Sequence, residues 1–331
     1  MVNLTPELVW KKDKTELLEL VDTGVFIREP KKINFYVPSF AGYATQNFRS
    51  SNNLFSTFSV TGDACALNCG HCRGKVLKSM AATATPSKLF EAAKNLKKKG
   101  GVGCLVSGGC SPDGSVPLTN FVSTLARIKQ ELSLTVMVHT GILDYSTAEK
   151  LKKAKIDAAL IDVIGSDKTI REICNLEITT EEYEKSLKAM SDAHLSFVPH
   201  VIVGLENGKL DGEFRALTMI SRYNPSALVI IAFMPIPGTG MADVDPPKPG
   251  DIAKVTATAR LMFSGVRLAL GCMRPKGRNR KETDVLALKA GVDAIAFPSE
   301  AAVEFAERQG YELSFSPYCC AQIYQQNTRY F

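Results

Sequence analysis

A (β/α)8 TIM barrel, class α/β, is the fold this sequence predicts, on three observations. Short apolar, β-branched runs recur eight times, segments of helical periodicity separate them, and no linker divides the 331 residues. Parallel strands need right-handed helical crossovers, and eight such units close on themselves. The strand runs are Phe55 to Val60, Val102 to Val106, Thr135 to Val138, Ala158 to Val163, Phe197 to Val203, Ala227 to Phe233, Val266 to Leu270 and Ala294 to Phe297. The helical segments are Lys88 to Lys99, Leu118 to Glu131, Thr147 to Ala154, Thr180 to Ala193, Gly212 to Ser221, Pro249 to Met262 and Lys281 to Lys289. Thr179-Thr180-Glu181-Glu182 reads as a helix start, and Gly100-Gly101 after Lys97-Lys98-Lys99 as a stop. Residues 1–50 form a leader, helical over Thr5 to Val21 and followed by Phe35-Tyr-Val-Pro-Ser-Phe40. The barrel takes residues 51–310, and residues 311–331 are a tail carrying Cys319-Cys320, expected to fold over the barrel mouth.

Composition narrows the functional classes. With 45% apolar and 22% charged residues the chain reads as an ordinary soluble globular protein. Its longest apolar run, Ala227 to Pro237, is too short for a membrane span, and the N-terminus has no signal-peptide core before its charges, so a cytoplasmic location is expected. Nine cysteines in a reducing compartment read as ligands and buried thiols rather than disulfides. The net charge of +6 is spread along the chain, which argues against a nucleic-acid tract but suits an acidic protein substrate.

The chemistry concentrates in Cys65-Ala-Leu-Asn-Cys69-Gly-His-Cys72, directly after the first strand. Three thiolates on a four-iron cubane leave one iron open, whereas clusters that only carry electrons normally have four cysteine ligands. A zinc knuckle with His71 as an added ligand is the bland alternative. In a barrel the active groups sit at the C-terminal ends of strands. There the sequence offers Ser107-Gly108-Gly109-Cys110, His139-Thr140-Gly141, Asp162-Val163-Ile164-Gly165, Ile202-Val203-Gly204 and Met234-Pro235. Glycines at 108 and 109 let backbone approach a ligand, His139 and Asp162 are able to hydrogen-bond a ribose or amino acid, and flat apolar groups beside Gly204 suit an adenine ring.

The order of the cysteine loop, the glycine pair, Ile-x-Gly and Pro-x-x-Gly-Thr resembles the biotin synthase branch of the radical S-adenosylmethionine (radical SAM) superfamily, from about residue 33 onward. Ser59 to Cys72, Ser107 to Leu118 and Leu270-Gly-Cys-Met-Arg-Pro-Lys-Gly277 look most like one component of the two-protein lipoyl synthases. The resemblance implies that Cys65, Cys69 and Cys72 hold a 4Fe-4S cluster that binds S-adenosylmethionine. It further implies sulfur insertion into an octanoyl chain on a carrier protein or peptide, a paralogous radical SAM partner protein and an external one-electron donor. Ser107, Gly108, Gly109, His139, Asp162, Ile202, Gly204 and Met234 become cofactor contacts. Two departures stand out: Cys110 occupies the position of a common Glu, and His200 that of a common Gly.

Sulfur insertion needs a donor. Cys272 follows strand 7, Cys319 and Cys320 lie in the tail, and Cys110 ends strand 2, so these four are the candidates for an auxiliary iron-sulfur cluster. Cys104 and Cys174 read as packing residues. Arg274, Arg278 and Arg280 crowd the loop after strand 7, where barrels often bind anions, and are the candidate substrate-binding residues. The sequence therefore predicts a radical SAM sulfurtransferase. The alternatives are a radical SAM enzyme without sulfur insertion, of methylating or carbon-skeleton type, and a non-enzymatic metal or electron-transfer protein.

Overall fold

In the computed structural model, which describes residues 4–38, 43 and 54–325, eleven strands form one parallel sheet. They are β1 (Lys32–Tyr36), β2 (Phe55–Ser59), β3 (Ala81–Ala82), β4 (Gly103–Ser107), β5 (Thr135–His139), β6 (Ala158–Asp162), β7 (Phe197–Val203), β8 (Ala227–Ala232), β9 (Arg267–Leu270), β10 (Ala294–Ala296) and β11 (Glu312–Ser316). Their order is β11-β1-β10-β9-β8-β7-β6-β5-β4-β2-β3, every pairing parallel. From β2 through β4 to β10 neighbours in sequence are neighbours in the sheet, which is the predicted eightfold alternation. The helices are α1 (Pro6–Lys11), α2 (Lys14–Asp22), α3 (Pro86–Lys98), α4 (Val122–Arg127), α5 (Tyr145–Lys153), α6 (Asp167–Glu172), α7 (Thr180–Asp192), α8 (Glu213–Ser221), α9 (Pro249–Met262), α10 (Arg278–Lys289) and α11 (Glu300–Arg308). None is long and apolar enough to cross a membrane.

Strand alternation sends one set of side chains outward against the helices and the other into the curl of the sheet. Phe55, Met137, Leu160, Val198, Val229 and Tyr36, from strands spread across the sheet, meet in one inner cluster. Among the described residues β2 and β10 do not pair; β1 lies on the far side of β10, and β11 beyond it. Several inward positions are small: Ala158, Ala227, Ala269, Ala294 and Ala296. The space they leave is filled by the tail. After β11 the chain turns back into the lumen, where Tyr318, Cys320, Ala321 and Ile323 pack on those alanines. Tyr324 then donates its hydroxyl to the carbonyl of Asp157, which precedes β6 and so marks the end of the barrel opposite the mouth. The tail thus reaches the mouth and continues down through the lumen. Residues 326–331, its last part, lie outside the described residues.

The leader is held by capping and by a satellite core. Thr5 accepts the amide of Leu8, Asp13 and Glu16 form a reciprocal capping box, and Val9, Leu17 and Val21 pack against Ala253 and Ala257 of α9, Leu286 of α10 and Ala290 just after it. It also contributes a strand, β1, from the segment that contains Phe35. Ser39, Phe40 and the boundary expected near residue 50 lie outside the described residues. The helix expected over Leu118 to Glu131 is three pieces: a 3-10 turn (Leu118–Phe121), α4, and a π-helical turn (Ile128–Leu132).

Candidate active site

The cysteine loop leaves β2 and is fixed from several sides before any ligand is considered. Ser59 Oγ donates to Gly62 O, Gly70 N–H to Ile173 O at 2.7 Å, and Asn175 Nδ2 to the carbonyls of Leu67 and Asn68 at 3.1 and 2.9 Å. Lys75 ties the far end of the loop to the carbonyl of Pro237. Asn68 and Arg73 adopt left-handed φ values of 47° and 46°, the reversals that fold the loop around its thiols. The strand 2 motif closes on the same loop. Gly109 donates its N–H to Thr61 Oγ1 at 2.7 Å and Cys110 O accepts from Ala66 N–H at 2.8 Å. A Cβ at Gly109 would meet the carbonyl oxygen of Ala64 at 2.1 Å and Cys65 Cα at 2.6 Å, so this glycine is required by the closeness of the cysteine loop. Thr61 and Asn175 are positioning residues that sequence reasoning passed over; a polar side chain in a loop carries no signal of which distant carbonyl it will hold.

Cys69 and Cys72 are buried and Cys65 half-buried. The donor atoms of Cys69, His71 and Cys72 lie within 4.8 Å of one another, with Cys65 an electrostatic neighbour of Cys69. Cys174, read as packing, touches this group: Cys69 Sγ lies 3.3 Å from its carbonyl oxygen. Crowding raises the thiols of Cys69 and Cys72. The neighbouring Cys69 thiol and then burial push Cys72 up to about 12, and contact with Cys174 raises Cys69 further. Thiolates are tolerable in such a place only beside positive charge, which is what a bound iron cluster supplies, so the donor set fits that group.

Above the loop stand His139, the last residue of β5, Asp162, the last of β6, and His200, which faces Asp162 in the register of β7. Burial alone would raise the Asp162 carboxyl, but His139, His200 and His71 pull it down to about 2. Burial likewise depresses His139, and the Asp162 carboxylate more than reverses it, for a net rise. His200, deeper, is held down to about 4 by burial. Ile202 is half-buried on the inward face of β7, and Met234 is half-buried just after β8. Gly204 turns with φ +74° against Pro247, and its N–H is held by Glu213 Oε1 at 2.8 Å. Ser107 closes β4, its carbonyl accepting from Val60 N–H.

The second set of thiols divides. Cys272 is an electrostatic neighbour of Cys319 and Cys320, and the three sit together in the lumen. Cys319 accepts from the Cys320 thiol and the Ala321 N–H and is lowered, with His139 assisting; Cys320 is correspondingly raised. Cys110 does not join them. Its neighbours are Cys65, Asp162 and Cys72, because the hydrogen bond to Ala66 holds it on the first cysteine loop.

The basic loop also divides. Arg274 is fully buried, paired in two places with Asp284 at 2.7 and 3.0 Å, and it donates to the carbonyls of Gly271 and Phe297. It is therefore withdrawn from any substrate, contrary to the expectation from its position beside Cys272: a guanidinium in the interior needs its charge and donors satisfied, and here the protein does that itself. Arg278 is exposed at the start of α10, while Arg280 is half-buried and reaches the carbonyls of Cys272 and Arg274. A separate cavity of about 740 Å³ lies between the loops after β4 and β5 and helices α5 and α7; it touches Thr140 but none of the thiols.

Residues 59–211 match the family model described as the Radical SAM superfamily. The chain is 26% identical over 273 residues to the biotin synthase of Neorickettsia sennetsu, covering 77% of this chain and 81% of that one. It is 24% identical over 253 residues to the biotin synthase of Zymomonas mobilis, 73% of each. In three dimensions it is similar to the FeFe-hydrogenase maturase HydG, with a TM-score of 0.65 and 16% identity over 97% of this chain and 74% of that one. Methylornithine synthase (PylB) gives a TM-score of 0.61 and 16% identity, covering 93% of each chain. At these identities the structural likeness speaks for the fold alone. The family match spans Cys65, Cys69 and Cys72 and so turns the reading of that loop from zinc to the cluster and S-adenosylmethionine. Residues 59–211 carry the Radical SAM superfamily match, and about three quarters of the chain is similar to biotin synthases.

Proposed function

We propose that this enzyme inserts sulfur into an unactivated aliphatic chain, as one component of a two-protein lipoyl synthase acting on an octanoyl group carried by a protein or peptide. The observation that carries the sulfur chemistry is the second thiol group: Cys272, Cys319 and Cys320 gather in the lumen, next to His139 on the mouth side. The similarity to biotin synthases supports it, and the octanoyl chain rests on the motifs from Leu270 to Gly277.

Cys65, Cys69 and Cys72 hold the 4Fe-4S cluster. When bound, that cluster and S-adenosylmethionine supply a one-electron cleavage that yields a radical able to take hydrogen from an unreactive carbon. Ser107, Gly108 and Gly109 leave backbone groups open to the methionyl end, and Ile202, Gly204 and Met234 present an apolar face for the adenine. Cys272, Cys319 and Cys320 hold an auxiliary cluster as sulfur donor; Cys110, placed on the first loop, leaves that set. The tail filling the lower lumen keeps water from the reacting carbon and makes the mouth the entrance. Arg278 and Arg280 flank that entrance and receive an acidic carrier domain. A paralogous partner and an external one-electron donor complete the system.

The test is Cys272→Ala with a deuterated octanoyl substrate. Formation of 5′-deoxyadenosine, carrying deuterium, should persist while the carbon-sulfur product disappears and iron content falls. Full iron content with a normal yield of thiolated product would remove Cys272 from the ligand set and favour a sulfur-free radical reaction.

A further inference from the structure

At the end of the barrel opposite the mouth, one buried carboxylate serves three guanidiniums. Asp293 immediately precedes β10 and is 5% exposed. Its Oδ2 accepts from Leu268 N–H at 2.8 Å and from Arg260 Nη1 at 2.9 Å, and its Oδ1 accepts from Arg28 Nη1 at 3.3 Å and from Arg267 Nη1 at 3.2 Å. Arg28 comes from the segment after α2, Arg260 from α9, and Arg267 is the first residue of β9. A cavity of about 130 Å³ opens beside Arg28, Arg267 and Asp293, lined also by Glu29, Lys32 and Tyr311.

The three guanidiniums are not used alike. Arg260 is buried and donates to the carbonyls of Gly291, Phe263 and Val266 as well as to Asp293, so the fold consumes its donors. The side chains of Arg28 and Arg267 are 39% and 37% exposed. Among the described residues each makes one hydrogen bond, to Asp293, although a guanidinium carries five N–H donors. Nor does one carboxylate neutralise three cations: burial lowers Arg260 in spite of Asp293, and Arg28 and Arg267 add to that lowering by repulsion. At the rim Lys32 is paired with Glu312 at 2.7 Å, and Glu29 is exposed. Tyr311, which burial and then Glu29 lift to about 12, keeps its proton and offers a further donor. Packing alone would need one cation for Asp293; two more, partly exposed and converging on its other oxygen, leave positive charge and free donors beside a cavity.

We propose that Arg28 and Arg267 form a binding site for a phosphate group, either inorganic phosphate or the terminal group of a phosphate monoester. Guanidiniums bind phosphate oxygens through paired N–H donors, and a dianion offsets the charge that Asp293 leaves uncompensated. A bound water takes up about 10–15 Å³ of such space, so a cavity of about 130 Å³ has room for a phosphate. An occupant would join the leader to β9 and to Tyr311, the residue before β11, and so brace the strand from which the tail enters the lumen. The site lies at the far end of the barrel from the cysteine loop, and the inference does not rest on the sulfur-insertion reading.

The experiment is isothermal titration calorimetry of the full, cluster-reconstituted chain at constant ionic strength, with inorganic phosphate in one arm, glycerol phosphate in the other and chloride as the reference anion. One anion should bind per chain and raise the unfolding temperature. Arg28→Gln and Arg267→Gln should each weaken binding about tenfold or more, whereas Lys88→Gln, at an exposed position of α3, should leave it unchanged. The tighter of the two ligands names the source of the phosphate. Binding and the temperature shift are read on the unaltered protein, so the proposal stays testable if the Arg267 variant folds poorly. No saturable heat from either ligand, affinity unchanged by Arg28→Gln, or equal weakening by Lys88→Gln would each overturn it.

Discussion

At the scale of single residues, burial decides which charged groups serve the reaction and which serve the fold. Arg274 and Asp284 are both 0% exposed, and Asp284 also accepts from Ser299 N–H. Arg274→Met would strand that carboxylate, and a loss of about 3–5 kcal/mol in denaturant unfolding is expected. Arg278→Glu should instead leave stability within about 0.5 kcal/mol and raise the KM for an acidic carrier substrate; equal stability loss in the two variants would contradict the division. Glu213 gives a pH test. Burial lifts its carboxyl from 4.5 to about 7 while it accepts the Gly204 N–H. Its folded pKa lies above its unfolded one, so its contribution is complete below pH 4.5 and is lost as pH rises through about 7. In Glu213→Gln the fall in stability between pH 5 and 8 should shrink by on the order of 2 kcal/mol; an unchanged slope would show that Glu213 is ionised throughout. The three-cysteine loop was legible in the sequence because its spacing is local. Arg274 was misread because inward or outward rotation of a side chain leaves no trace in spacing.

At the scale of elements, the site depends on what the tail does. Ala321 is 0% exposed among the alanines of the lumen, where there is no room for more. Ala321→Leu should cost about 1–3 kcal/mol and disturb Cys320 next to it, lowering iron content while the first cysteine loop retains its own. Normal iron at both sites would mean that the tail tolerates displacement. Most of the eight central strands were readable because they are largely buried runs rich in apolar and β-branched residues, and Phe197–Val203 matches to the residue. β1 and β11 escaped because their pairing joins Lys32 to Glu312, and β11 alternates exposed with half-buried residues as an edge strand does. The helix expected over Leu118 to Glu131 changes pitch twice, a feature that periodicity over so short a window does not resolve.

At the scale of the whole molecule, one curled parallel sheet carries two thiol groups, one on the loop after β2 and one in the lumen, where the tail brings Cys319 and Cys320 to Cys272. The first is built on a loop held by Thr61, Asn175 and Lys75, so it is shaped before its cluster arrives. The second exists only when the last strand and tail have docked, which places the proposed sulfur source under the control of the C-terminus. The fold class and the first group were legible from pattern and spacing. Membership of the second required three dimensions, since Cys110 and Cys272 both follow strand ends and only the backbone bond from Ala66 assigns Cys110 elsewhere. The central claim is that this enzyme's own auxiliary cluster is the sulfur source. Its most direct test is mass spectrometry of an octanoyl-lysyl substrate after one anaerobic turnover with enzyme reconstituted in ³⁴S-sulfide: the account predicts ³⁴S on the octanoyl chain, whereas 5′-deoxyadenosine formed beside a sulfur-free chain would contradict it.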